Sequence, residues 1–219
     1  MYGTSETVVG SLLPQIRPRR AVFAASKVWI PGRRLGPPQM EESRNLWGIA
    51  RFDLMQVHNL LDWEGHLQTL REWKASGRVR YVGVTTSHGR RHEELERIMR
   101  SQPLDFVQFT YNLADRSAEQ RLLPLARERH MAVILNRPLD GGALFDRVKG
   151  RTLPVWAAEF DCRTWSQFFL KFLVSHPSVT CAIPATSQVA HMRENMGAAE
   201  GRLPDAAMRT RMAEYFDSL

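Results

Sequence analysis

Cysteine is almost absent, with two in 219 residues. Cys162 and Cys181 lie far apart and in no metal-type spacing, which excludes a disulfide framework and points to a compartment where thiols stay reduced. No apolar run approaches the roughly 18 residues needed to span a bilayer, so no membrane partner is expected. The opening stretch, MYGTSETVVGSLLPQ, lacks a basic segment followed by an apolar core and does not pattern as a signal peptide. A cytoplasmic location is expected, with any targeting segment lying upstream of Met1. No G-x-G-x-x-G turn follows a strand-like run, so an open dinucleotide-type sheet lacks its fingerprint. There is no linker and no low-complexity tract, and one domain over residues 1–219 is expected.

What is abundant is positive charge, a net +7. The basic clusters RPRR, GRR and GRRH are short, scattered beside turns and not interleaved with aromatics as in a single-strand binder. No nucleic-acid partner is expected; the milder implication is a preference for anionic small molecules, phosphates included.

Six strand-like runs alternate with amphipathic stretches. The runs are AVFAAS (21–26), FDLMQV (52–57), VRYVGV (79–84), DFVQFT (105–110), MAVIL (131–135) and VTCAI (179–183). Most are continuously apolar, as strands covered on both faces should be. The segments between them, such as EGHLQTLREWKAS and HEELERIMRS, repeat apolar residues at three- and four-residue steps. Strand and helix in alternation imply parallel strands joined by right-handed crossovers, hence an α/β fold. One connection, 140–163, is long and carries glycines and apolar residues, the composition of a lid or clamp.

Polar groups gather where the strands end. Lys27 follows the first run and His58 the second; Thr85 and Thr86 follow the third. Gln108 lies in the fourth, with Tyr111 and Asn112 beyond it. Asn136 and Arg137 follow the fifth, and Pro184, Thr186 and Ser187 the sixth. In a parallel barrel these ends share the face that holds the active site.

With these segments in order, the sequence resembles the aldo/keto reductase family over nearly its whole length. MYGTSE is similar to the family's tyrosine motif, AASKVW to its lysine strand and FDLMQVHN to its histidine strand. GRVRYVGVT resembles its G-[KR]-[IV]-R-x-[IL]-G-[VI]-S segment, and DFVQFTYNL, NRPLDGGAL and IPATSQVAHMREN follow in the family's order. The resemblance implies a (β/α)8 barrel of TIM type that binds NADP(H), with NAD(H) as the other option, and reduces a small-molecule carbonyl substrate. It implies Tyr2 as proton donor, Lys27 as the cation that lowers the phenol pKa, and His58 as the group that hydrogen-bonds the carbonyl oxygen.

The cofactor positions implied by the resemblance are Thr85, Thr86, Gln108, Asn136, Arg137, Pro184, Thr186, Ser187, His191, Glu194 and Asn195. Thr85 and Thr86 stand where the family commonly has Ser-Asn, and Asn136 where an aromatic ring stacks on the nicotinamide. Ala185 replaces the usual phosphate-binding lysine and His191 the usual arginine. Arg137 and Arg193 are substitute cations, and the start of the following helix is a further phosphate site. Trp29, Trp63 and Trp156 are expected at the substrate pocket; Trp47, Trp73 and Trp165 are expected to pack helix faces. His88 and His92 have a spacing that would hold a metal on a helix, but no third ligand is apparent and no metal is expected.

The family's barrel carries two strands before the tyrosine motif, the second ending in an aspartate that pairs with the lysine. Six barrel strands of eight are therefore expected here, with exposed edges at the first and last and impaired activity in this chain alone. A second possibility keeps the nucleotide site without fast chemistry, as a sensor or regulatory subunit. A third is a relic without function. The oligomeric state is not legible.

Overall fold

Strand β2, Phe52–Val57, forms where its sequence places it, and all of it but Asp53 is buried. A strand covered on both faces by crossover helices needs that apolar continuity. The computed structural model describes residues 3–16 and 22–219. The chain divides into two compact units: Met1–Thr86 with Pro103–Val107, and Ser87–Gln102 with Gln108–Leu219. The strands follow chain order, six of them among the described residues.

The first unit holds helix α1 (Ser5–Leu12), strand β1 (Ala25–Val28), helix α2 (Gly36–Trp47), β2, helix α3 (Trp63–Ala75) and strand β3 (Val79–Thr85). Strand β4 (Phe106–Thr110) begins here. β1 pairs in parallel with β2 (Ala25↔Leu54, Lys27↔Gln56), and β2 with β3 (Leu54↔Tyr81, Val57↔Val84). β1 lies further along the chain than its apolar run implies. The Asp53 carboxylate accepts from Ala24 N at 2.9 Å, so a side chain takes the bond that a strand ladder would use and pairing starts one residue later. Lys27 therefore sits inside its strand, not after it.

α3 buries His66, Leu67, Leu70 and Trp73 at three- and four-residue spacing. Gly48 ends α2 in the left-handed region with φ 62°, the usual device for closing a helix. α1 has no buried residue. It is seated instead by Gly10, where an added Cβ would lie 1.9 Å from the Leu46 carbonyl oxygen. Gly83 plays the same part in β3, with the Phe106 carbonyl oxygen 2.4 Å from a hypothetical Cβ.

The second unit holds helix α4 (His92–Ser101), the rest of β4, helix α5 (Leu122–Glu128), strand β5 (Ala132–Asn136), helices α6 (Ala143–Arg147) and α7 (Trp165–Val174), strand β6 (Cys181–Ala182) and helices α8 (Val189–Met196) and α9 (Ala206–Asp217). β6 pairs in parallel with β5 through Ile134↔Cys181 and Leu135↔Ala182. It is shorter than its apolar run because the Thr180 hydroxyl accepts from Val133 N at 3.0 Å, displacing a backbone acceptor.

α7 starts at Thr164, whose hydroxyl accepts from Gln167 N at 3.2 Å, a side-chain N-cap. It buries Phe168 to Leu173, including Lys171, which is fully buried. The Lys171 ammonium donates to the carbonyls of Glu200 at 2.6 Å and Arg202 at 2.9 Å, so its charge is met by backbone dipoles rather than left bare. A second polar clasp joins Tyr111, Glu119 and Arg209. The Tyr111 hydroxyl donates to the Glu119 carboxylate and accepts from Arg209 Nη2 at 2.8 Å.

The tryptophans expected on helix faces pack there. Trp47 meets Phe52 edge-on at 5.2 Å, the Arg78 guanidinium lies 5.2 Å over Trp73, and Trp165 stacks on Tyr215. Trp156 sits in the same aromatic cluster as Trp165, against Phe160, Phe168 and Tyr215 and under Arg211. Among the described residues no helix is long and apolar enough to cross a membrane.

Candidate active site

In the first unit, the side chains with chemistry cluster on β1 and β2. Lys27 pairs in register with Gln56, and His58 follows β2 two residues after Gln56. Lys27 and His58 are both half-buried. Burial holds the Lys27 amine below its ordinary pKa, because leaving water penalises the charged form. Burial, and after it the charge of Lys27, pushes the His58 imidazole down to about 4. At neutral pH the ring is therefore uncharged, with one N–H donor and one acceptor nitrogen. Gln56 is buried, and its Nε2 has no hydrogen-bond partner among the described residues.

The chain turns sharply after His58. Asn59 and Leu60 both have positive φ, 52° and 53°, which is strained for residues with a Cβ. The turn is tied down by Asn59 N, which donates to the Thr85 hydroxyl at 2.9 Å. Thr85 is wholly buried and Thr86 nearly so; Thr85 thus serves as a brace for the His58 turn. The Trp29 ring meets His58 edge-on at 5.3 Å and is 45% exposed. Trp63 opens α3, half-buried. Tyr2 lies outside the described residues.

In the second unit, a cavity of about 540 Å³ is lined by Arg137, Pro184, Thr186, His191, Glu194 and Asn195, all expected from the sequence, together with Ala185. Its size falls within the range of small-molecule sites. Ser187 and Arg193 are not among the lining residues. Gln108 is buried in β4. Asn136 is the last residue of β5, and its Oδ1 accepts from the Thr110 hydroxyl at 2.7 Å. The same Thr110 oxygen accepts from His88 N at 2.9 Å.

Arg137 has φ 49°, and its carbonyl accepts from Asn112 Nδ2 at 3.1 Å. Its guanidinium is held by Asp140 at 3.1 Å and by His88 Nε2 at 2.9 Å. Gly141 leaves room for it, since a Cβ there would lie 3.2 Å from Nη2. One oriented guanidinium, a hydroxyl at Thr186 and a carboxamide at Asn195 give the cavity the donors a phosphate-bearing ligand needs.

Sequence reasoning did not find Gly141, Gly142, Phe145 or Ser166, which also line this cavity. The first three lie in the long connection singled out as a clamp, and its glycines were the signal. Ser166 has no such signal. His88 precedes α4 with φ 60° while His92 begins that helix, so the two do not share a helix face as their spacing implied. Among the described residues no group of three or more metal-type ligands occurs.

A family profile described as the aldo/keto reductase family matches residues 1–213. An uncharacterised oxidoreductase of Schizosaccharomyces pombe is 29% identical over 155 residues, which cover 69% of this chain and 48% of the yeast protein. The chain thus spans about half the length of that relative. NADH-specific methylglyoxal reductase of Escherichia coli is 24% identical over 274 residues, covering all of this chain and 81% of the relative. Among solved structures, an aldo/keto reductase from Klebsiella pneumoniae in complex with NADP and acetate matches with a TM-score of 0.80 at 23% identity, over 97% of this chain and 75% of that one. The fold is that of the α/β reductase barrels, with six strands among the described residues. On the match from residue 1 to residue 213, the chain belongs to the aldo/keto reductase family.

Proposed function

We propose that the chain reduces a small aldehyde or ketone with NADP(H), or with NAD(H), as one reductase domain in the cytoplasm. The observation that carries this is a half-buried Lys27 on the strand beside the one that ends at His58, whose imidazole is pushed to about 4 by burial and then by the charge of Lys27. A neutral ring donates one N–H to a carbonyl oxygen and orients it without competing for the proton to be delivered. Tyr2 is the proposed proton donor to the developing alkoxide. A free phenol titrates at about 10; an ammonium beside it, the role proposed for Lys27, would stabilise phenolate and bring proton transfer closer to neutral pH.

A nicotinamide nucleotide, when bound, supplies the hydride. Arg137, Thr186 and Asn195 are the proposed contacts in the second unit. The names of the relatives, one NADH-specific and one solved with NADP, support this choice of cofactor.

The test is NADPH and NADH oxidation with 4-nitrobenzaldehyde by the purified chain. Tyr2→Phe and Lys27→Met are each expected to lower turnover by about 10²-fold or more. Turnover unchanged in both would sink the assigned roles. One observation favours a second reading, a nucleotide-binding module without fast chemistry: Asn136, engaged by Thr110, occupies the position where the resemblance implies a stacking ring. Nucleotide binding without turnover would decide for it.

A further inference from the structure

Asn195 is the only buried residue of α8. An amide withdrawn from water must be satisfied or it destabilises the fold. Here its carbonyl half is satisfied: the Ser166 hydroxyl, from the first turn of α7, donates to Asn195 Oδ1 at 2.5 Å. Both side chains are at least nine-tenths buried, and both line the 540 Å³ cavity. Among the described residues, the hydrogen bond this carboxamide makes runs through its oxygen.

A carboxamide has two faces of opposite character, and either can point either way unless a neighbour chooses. Here the Ser166 hydroxyl donates to the oxygen, which leaves the N–H edge turned away from it. We infer that Ser166 is a positioning residue for the ligand: it holds the Asn195 carboxamide so that the N–H edge faces the cavity and meets an acceptor atom of the bound nucleotide. This rests on the nucleotide reading given above. It adds a residue that the motifs do not mark, and it fixes the polarity of one contact.

The coupling is measurable as a double-mutant cycle on NADH and NADPH dissociation constants, read from nucleotide fluorescence on the full chain. Ser166→Ala is expected to weaken binding about tenfold, as the loss of one oriented buried hydrogen bond does. Asn195→Ala is expected to weaken it at least as much. Ser166→Ala added to Asn195→Ala should cost nothing further, because the hydroxyl acts only through the amide. Ser166→Thr keeps the hydroxyl and should bind like the parent chain. Thermal unfolding of each variant separates this from loss of fold, since a purely structural serine would lower the melting temperature without coupling to Asn195.

Additive losses in the cycle would overturn the inference. So would unchanged binding in Ser166→Ala, or a loss in Ser166→Thr equal to that in Ser166→Ala. Failure of the parent chain to bind either nucleotide would instead overturn the nucleotide reading itself.

Discussion

The edge of the Trp29 indole rests on the His58 imidazole, with ring centroids 5.3 Å apart. The indole shields one flank of a ring that already pays for leaving water, and Lys27 adds repulsion to its protonated form. The outcome is a histidine that stays neutral across the pH range in which an ordinary imidazole takes up its proton.

That state sets a pH signature. Unfolded, the imidazole titrates at its ordinary 6.5; folded, at about 4. Between these values the unfolded chain binds the extra proton, so the stability associated with a neutral His58 is fully present above about pH 6.5 and is lost as the pH falls toward 4. An NMR titration of the His58 ring is expected to show the low value directly. In Lys27→Met the value should rise but stay below 6.5, because burial is the larger cause. In Trp29→Ala it should rise through added solvent. A His58 titrating normally in the parent chain would mean that neither burial nor Lys27 acts on this ring.

Gly83 is expected to tolerate no side chain. With the Phe106 carbonyl oxygen 2.4 Å from the position of an added Cβ, β3 and the start of β4 would have to separate. Gly83→Ala should cost about 3 kcal/mol, the upper range for overpacking, seen as a lower midpoint in urea with an unchanged slope.

Lys171→Met keeps the length of the side chain and removes the donor. Two backbone carbonyls, of Glu200 and Arg202, then lose their partner. A cost of about 2–4 kcal/mol is expected, with faster amide exchange around residues 197–205 in hydrogen-exchange mass spectrometry. Exchange unchanged there would mean that the ammonium does not hold this segment.

Tyr111 should remain protonated far above the usual phenol range, since burial and its hydrogen bond to Glu119 both disfavour phenolate, and these outweigh the pull of Arg209. Ultraviolet titration is expected to show one of the four tyrosines ionising only when the chain unfolds in alkali. Tyr111→Phe removes that signal and should cost about 1–2 kcal/mol by leaving Arg209 and Glu119 short of a partner.

Much of this was legible from the residues. β2 and its terminal His58 could be found because a buried parallel strand writes itself as an unbroken apolar run, and a titratable group at its end stands out. The cavity residues from Pro184 to Asn195 followed from motif order. Lys27 was displaced by one strand position because Asp53, nearly thirty residues away, decides where pairing begins. α1 escaped notice because its anchor is a glycine on the Leu46 backbone, which leaves no apolar stripe. Thr85 was expected at the cofactor, and its hydroxyl is found bracing the turn after His58. Ser166 and Asn195 are 29 residues apart, and no local pattern records a pairing of that range.

The withdrawal of Lys171 into α7 also decides how the molecule presents itself to reagents. The chain has only four lysines, at 27, 74, 149 and 171. Lys171 is sealed and Lys27 half-covered, whereas Lys74 and Lys149 lie in the open. Among the lysines, amine-directed coupling to a surface would engage Lys74 and Lys149, and neither lines the cavity that holds Arg137.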